Sequence, residues 1–248
     1  MSLDRHYDIL LELVSLSGQD IVPAPVDFYV MKDIPAIKGK FYIQKLIEEG
    51  EHEHQDFKYA ISDARKIARS ISAFANNDGG RLLVGVKDNG NITGIPNEED
   101  IYMLEYAAEA YCVPPQKIDI TAFKVEHGAI VLRASVAKSD FRPVYVKEDK
   151  NKLVAYYRVK DENIMVHPLL VEAWKLQAQA SGQLFTLSVA EKSLLKFLED
   201  SPLSTMEEYI FATHISRVTA ESVITRLLAA GIITMEHTPS GFKLKLVE

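Results

Sequence analysis

The chain has 248 residues, 47% of them hydrophobic, which suffices for one large or two modest cores and places it among ordinary soluble globular proteins. A formal net charge of −7 excludes general attraction of polyanions, so any nucleic-acid contact must come from a local patch. The single cysteine, Cys112, excludes an internal disulfide and a multi-cysteine metal site, and no apolar run approaches the roughly 18 residues of a membrane span, so a cytoplasmic protein without secretion or membrane anchor is expected.

In chain order, residues 7–16 carry leucines at helical spacing, and residues 21–39 hold Pro23, Pro25 and Pro35 and read as extended or irregular. Together residues 1–40 form a leader with no assigned function. A short helix is expected over 41–49 and an extended segment over 51–59. From Ser62 onward, Ala64, Ile67, Ala68, Ile71, Phe74 and Ala75 recur at three- and four-residue intervals, the stripe of an amphipathic helix that Ser62 caps and that starts near Asp63. Asn76, Asn77, Asp78, Gly79 and Gly80 tolerate positive φ and offer a left-handed exit. Leu82, Leu83, Val84 and Val86 then read as a strand covered on both faces, and Asn89-Gly90 as a two-residue type I′ reversal returning through Ile92 and Thr93.

A helix over 98–111 turns Met103, Leu104, Ala107 and Ala108 inward and ends at Pro114-Pro115; Cys112 beside it reads as core. Strands are expected over 118–125, 129–136, 143–147 and 153–159, giving an α+β domain with a mixed or antiparallel sheet. A helix over 162–177 carries the only tryptophan, Trp174, and closes a domain spanning 41–176. Residues 177–183 are a polar linker. The unit over 184–248 opens with a Ser188–Glu191 capping box for a helix through Leu198. Ser204 or Thr205 starts a second helix over 206–212. Thr219 caps a third, with Val223, Ile224, Leu227 and Leu228 inward and Gly231 past its end. A hairpin around Thr238-Pro239-Ser240-Gly241 completes the chain.

Two resemblances follow from these stretches. Three helices and a hairpin are similar to the winged helix-turn-helix family, and ISRVTAESVITRLLAAGII resembles its recognition-helix segment. DFK at 56–58, AFANNDGG at 73–80, LLVGVKDNG at 82–90, GI at 94–95, PVYVK at 143–147 and YYRV at 156–159 together resemble the AlbA-type, Schlafen-like DNA-binding domain. The resemblance implies a mixed sheet with packed helices, followed by a small winged-helix domain. The family's first motif usually reads Glu-Phe-Lys and its turn often ends Asn-Thr-Gly-Gly; here Asp56 shortens the carboxylate arm and Asn77-Asp78 replaces the usual turn residues.

The chemistry has several candidate carriers. Lys58, Arg65, Lys66 and Arg69 would neutralise phosphates in a sequence-independent manner, the last three along one side of a helix. On residues alone they read as a solvated face paired with Asp63, and the family resemblance is what points to binding. In the terminal unit Ser216, Arg217, Thr219, Ala220 and Ser222 would face a DNA groove, and Ser240, Lys243 and Lys245 would form the wing. That unit holds six basic against eight acidic residues, so weak DNA binding reinforced by dimer symmetry and a protein-docking role both stay open.

Under the resemblance, Glu51, Asp56 and Asp88 correspond to acidic positions of Schlafen ribonucleases, with Lys58 nearby; convergent, they would hold Mg²⁺ or Mn²⁺ against a phosphodiester. Positions 51 and 56 face opposite sides of a regular strand, so convergence requires a bend; otherwise these are surface acids. His52 and His54 would share a strand face, as transition-metal ligands or as exposed histidines. No Walker A pattern occurs, and Gly79-Gly80 follow a helix whose carbonyl end repels phosphate, which sets nucleotide hydrolysis aside. The favoured reading is a non-enzymatic, homo-oligomeric protein that binds DNA, with RNA also open, acts as a transcriptional regulator and needs no cofactor. The alternatives are a metal-dependent endoribonuclease and a non-catalytic assembly module.

Overall fold

The computed structural model describes residues 34–179 and 186–247, so the expected leader helix over 7–16 and residues 180–183 of the expected linker lie outside the described residues. Strand β1 (Ile37–Lys38) leads into α1 (Lys40–Glu49), β2 (Gln55–Lys58), α2 (Ala64–Asn76) and β3 (Gly80–Val84). Helix α3 (Glu99–Tyr106) continues into a π-helical turn (Ala107–Tyr111) and β4 (Cys112–Val113). Strands β5 (Ile118–Lys124), β6 (Ile130–Val136), β7 (Tyr145–Asp149), β8 (Lys152–Val159) and β9 (Glu162–Met165) precede α4 (Pro168–Gln179). Helices α5 (Val189–Asp200), α6 (Met206–Thr213) and α7 (Arg217–Ala229) and strands β10 (Ile233–Thr238) and β11 (Gly241–Leu246) follow.

The result is an α+β architecture with seven α-helices among the described residues. Its first sheet is mixed, in the order β1-β5-β6-β3-β2, with β1/β5 and β2/β3 parallel and the other pairs antiparallel. A second, antiparallel sheet runs β4-β7-β8-β9. Side-chain alternation along β3 explains its apolar run. Leu83 joins Phe57, Phe123 and Val131 beneath Ile43 and Leu46 of α1, whereas Leu82 and Val84 point to the opposite face and are equally buried.

Helix α2 touches β3 and β6 of the first sheet and β7, β8 and β9 of the second. Ten of its 13 residues are buried, so the expected amphipathic stripe understates its burial. Alanines and serines along it let strands approach closely, and its buried polar groups are bonded: the Ser72 hydroxyl donates to the Val144 carbonyl at 2.7 Å and accepts from the Tyr156 N–H at 3.2 Å.

Several local expectations change. Asp63, not Ser62, caps α2, its carboxylate accepting the Arg65 and Lys66 N–H groups, because Asp63 directly precedes the first helical residue, Ala64, and Ser62 stands one position too early. Asn77 leaves the helix at φ −97 without a left-handed step, and Gly79 supplies the positive φ of 80. The reversal after Val86 has its turn bond from the Gly90 N–H to the Lys87 carbonyl and puts only Gly90 at positive φ, so it is a three-residue loop with a bulged glycine instead of a type I′ turn. Residues 162–165, expected as helix, pair with β8 across a turn in which Lys160 has φ 56; α4 starts at Pro168, whose missing N–H suits a first helical position. Ser216 rather than Thr219 caps α7, since its hydroxyl accepts the Thr219 N–H at 3.1 Å.

Helix α4 serves two cores. Trp174 packs with Ala155 and Val166 near the second sheet, and Ala173 is buried with Leu194, Tyr209, Ile224 and Leu227 of the terminal helices. Gln177, at the start of the expected linker, is helical and donates to the Ala229 carbonyl at 3.0 Å. The terminal unit packs α5, α6 and α7 against the β10–β11 hairpin, and Ser204 and Leu244 exchange backbone hydrogen bonds at 3.1 and 2.7 Å. The expected capping box of Ser188 with Glu191 is formed, and Thr205, one of the two expected starts of α6, forms a second with Glu208. No helix among the described residues is long and apolar enough to cross a membrane.

Candidate functional site

The bend that the carboxylates require is present. Residues 51–54 form a turn closed by His52 and Gln55, after which β2 begins. Glu51 thereby folds back onto β2, where its Oε1 accepts the Phe57 N–H at 2.8 Å and its carboxyl lies against that of Asp56. Asp56 is 4% exposed, and cations occupy both of its oxygens: Lys58 Nζ stands 2.7 Å from Oδ2 and Arg158 Nη2 3.1 Å from Oδ1. Ser70 of α2 adds a 3.3 Å hydrogen bond to Oδ2.

Arg158 is the hub of this cluster and was not foreseen. It is 2% exposed on β8, its guanidinium lies over the Phe74 ring at 5.2 Å, and it donates to the carbonyls of His52 and Gln55 at 3.3 and 3.2 Å and to Asn163 Oδ1 at 3.0 Å. Asn163 in turn donates to Ser70 at 2.9 Å. The available signal was the arginine inside YYRV: a guanidinium in an apolar strand must find an acid.

The two carboxyls are pushed apart electrically. Burial raises the pKa of Glu51, and the adjacent Asp56 raises it further. Burial alone would raise Asp56 as well, but Lys58 and Arg158 outweigh it and hold that carboxyl below the usual carboxylate range. A shared proton therefore resides on Glu51 before it reaches Asp56.

Asp88 is exposed on the loop between Val86 and Ile92 and does not complete a triad: among the described residues no group of three or more His, Cys, Asp or Glu side chains is placed to hold a metal ion. Mg²⁺ or Mn²⁺ does not fit the Glu51–Asp56 pair as arranged, because such ions require carboxylate oxygens that here face an ammonium and a guanidinium. Of the candidate histidines, His54 Nδ1 lies 2.9 Å from the Gly79 carbonyl oxygen and His52 accepts the His54 N–H at 3.1 Å. Burial and the nearby Arg81 lower the His52 pKa.

The expected phosphate contacts divide by their present partners. Arg69 donates twice to Glu148, each at 2.7 Å, with its guanidinium over Tyr156, and Lys58 is bound to Asp56. Arg65 lies over the Tyr111 ring at 5.6 Å. Lys66 is exposed. In the terminal unit Arg217 and Thr219 are exposed at the start of α7, with Arg217 3.2 Å from Glu207. Lys245 is exposed and pairs with Glu236 at 3.2 Å, and Lys243 is half-buried. Phe242, just before these two lysines, packs its ring against His167 at 5.1 Å and Tyr157 at 6.3 Å, which joins the hairpin to the second sheet.

The two sheets, the helix between them and the buried carboxylate–guanidinium cluster define an α+β domain organised around a charged interior. Residues 51–166 match the family model described as Schlafen, AlbA_2, and this stretch of the chain is a domain of that family. Comparison with curated proteins gives no match. Among solved structures the chain resembles that of the DIP2311 protein from Corynebacterium diphtheriae, at 22% identity and a TM-score of 0.42 over 77% of this chain and 34% of that one. The chain thus spans about a third of that protein's length.

Proposed function

We propose that this protein is a cytoplasmic, homo-oligomeric regulator that binds DNA mainly through its phosphate backbone and performs no chemistry on it. The Schlafen AlbA_2 domain is compatible with a nucleic-acid-binding role. The observation that carries the finer reading is the first turn of α7, which Ser216 caps and which holds Arg217 and Thr219 in solvent within a three-helix unit followed by a hairpin. This is the arrangement a winged helix uses to enter a groove, and Lys243 and Lys245 would supply the wing. A slightly acidic unit gains affinity when a symmetric dimer presents two copies to one duplex. Lys66 and Arg65 would add backbone contacts from α2.

The test is retention of a labelled duplex at about 50 mM salt, where phosphate contacts are strongest. Retention should weaken steeply with salt, and joint Arg217→Ala and Lys245→Ala substitution should reduce the slope of log affinity against log salt by about 2, one for each lost phosphate contact. Absence of any salt-sensitive retention would overturn the proposal. The ribonuclease reading keeps one favourable observation, the contact of Glu51 with Asp56. It requires Lys58 to leave Asp56 and Asp88 to approach. Labelled tRNA incubated with Mn²⁺ should remain intact; cleavage that Asp88→Ala abolishes would establish the enzyme instead.

A further inference from the structure

Two concavities, of about 220 and 510 Å³, share Tyr42 of α1. His54, Arg81, Arg133 and Ser135 line the first; Lys38, Lys40, Phe41 and Lys124 line the second. From this surface we infer a binding groove for single-stranded nucleic acid, with Phe41 and Tyr42 as stacking rings and Lys38, Lys124 and Arg133 as the phosphate contacts. The inference rests on the nucleic-acid reading above and adds a site that the residues of α2, α7 and the hairpin do not include. Lys38, Lys40, Phe41 and Tyr42 also precede the segment that matches the family.

Charge is the first support. Lys38 and Lys124 are direct partners in the parallel pairing of β1 with β5, so two ammonium groups project from one face side by side. Like charges placed opposite each other on neighbouring strands repel, and among the described residues neither lysine has an acidic partner within ion-pair distance. A bridging phosphate would relieve that repulsion. The acids nearby are already committed, Glu126 to Lys40, Glu49 to Arg81 and Asp78 to Lys138, which leaves Lys38, Lys124 and Arg133 as the positive surplus.

The rings are the second support. Phe41 is 81% exposed, an unusual position for a phenyl group, and Lys40 Nζ lies 5.7 Å from its centroid. Tyr42 is held more firmly: one neighbour is the Phe123 ring at 5.1 Å, and Arg133 lies 5.6 Å from both rings while donating from Nη1 to the Tyr42 hydroxyl. Arg133 Nε is buried without a hydrogen-bond partner. Exposed rings alternating with cations suit a strand whose bases are unpaired, since a duplex hides its base faces and offers nothing for Phe41 to cover.

Fluorescence anisotropy with labelled oligomers of about 15 nucleotides, one of deoxythymidine, one of uridine and one a duplex, separates the possibilities at about 50 mM salt. Binding of a single strand more tightly than the duplex is expected, with the stronger of the two single strands identifying the preferred sugar. Phe41→Ala should weaken single-strand binding about tenfold with little change in salt dependence. Joint Lys38→Ala and Lys124→Ala substitution should lower the slope of log affinity against log salt by about 1.4. Both sites are exposed, and an unchanged melting temperature would verify that the fold is retained. Wild-type affinity for single strands in both variants, or binding to duplex alone, overturns the groove and leaves the regulator reading intact. Failure to bind any of the three oligomers overturns both.

Discussion

Asp56 stays anionic where water barely reaches it because Lys58 and Arg158 take its two oxygens, and that residue-scale arrangement has measurable consequences. Arg158→Met should destabilise the protein by about 3 kcal/mol in urea unfolding, since removing one partner leaves a buried charge inadequately compensated. Adding Asp56→Asn to that variant should recover part of the loss, so that the two effects are clearly non-additive. The pH dependence follows from the directions of the shifts. Asp56 and Glu148 are both held below the unfolded carboxylate value near 4, so the stability they contribute is complete above about pH 4 and is lost as pH falls through their lowered native values. Glu51 has the opposite sign: its raised pKa favours the folded state below about pH 4, and that advantage disappears as pH rises through the native value. Glu51→Gln keeps an acceptor for the Phe57 N–H without the second charge, and should match or exceed wild-type stability at pH 7 while losing its advantage near pH 4, as urea titrations at the two pH values would measure.

At the scale of elements, the turn that ends α2 does more than reverse the chain. Asn76 donates its amide to the carbonyls of Val144 and Tyr156 at 2.9 and 2.8 Å and accepts the Val144 N–H at 2.8 Å. Asn77 exchanges hydrogen bonds with the backbone of Arg158 at 2.9 and 3.1 Å. The end of the helix therefore supplies backbone partners for the segment before β7 and for β8, which is why asparagine rather than any φ-tolerant residue stands there. Asn76→Asp would set a carboxylate against two carbonyl oxygens and should cost about 3 kcal/mol, with faster amide exchange in β7 and β8 as the local signature. Gly80 follows the same logic of close approach, since a Cβ there would meet the Phe74 ring at 2.3 Å. Helix periodicity, the Ser188–Glu191 capping box and strand runs were legible along the chain because each depends on neighbours within a few residues. The misread helix over 162–165 was not, because only pairing with β8 makes that segment a strand.

For the whole molecule, the contact between the second sheet and the terminal hairpin is titratable. His167 packs against Phe242, burial lowers its pKa, and the charges of Glu207 and Glu221 pull the other way without prevailing. Its contribution is therefore present above the unfolded value near 6.5 and is lost as pH falls below it. Melting temperatures between about pH 7.5 and 5.5 should fall in the wild type and fall less in His167→Gln. Sequence by itself determined the mixed-sheet α+β class, the Schlafen AlbA_2 domain and the boundaries of most elements, since propensity, capping and glycine-rich turns are written locally. It also marked Glu51 and Asp56 as a pair that only a bend could bring together. Tertiary structure alone decided which cations surround Asp56, why Arg69 is bound to Glu148, and that Lys38, Phe41, Tyr42 and Arg133 share one surface, because a charge's partner and a ring's exposure depend on residues distant along the chain.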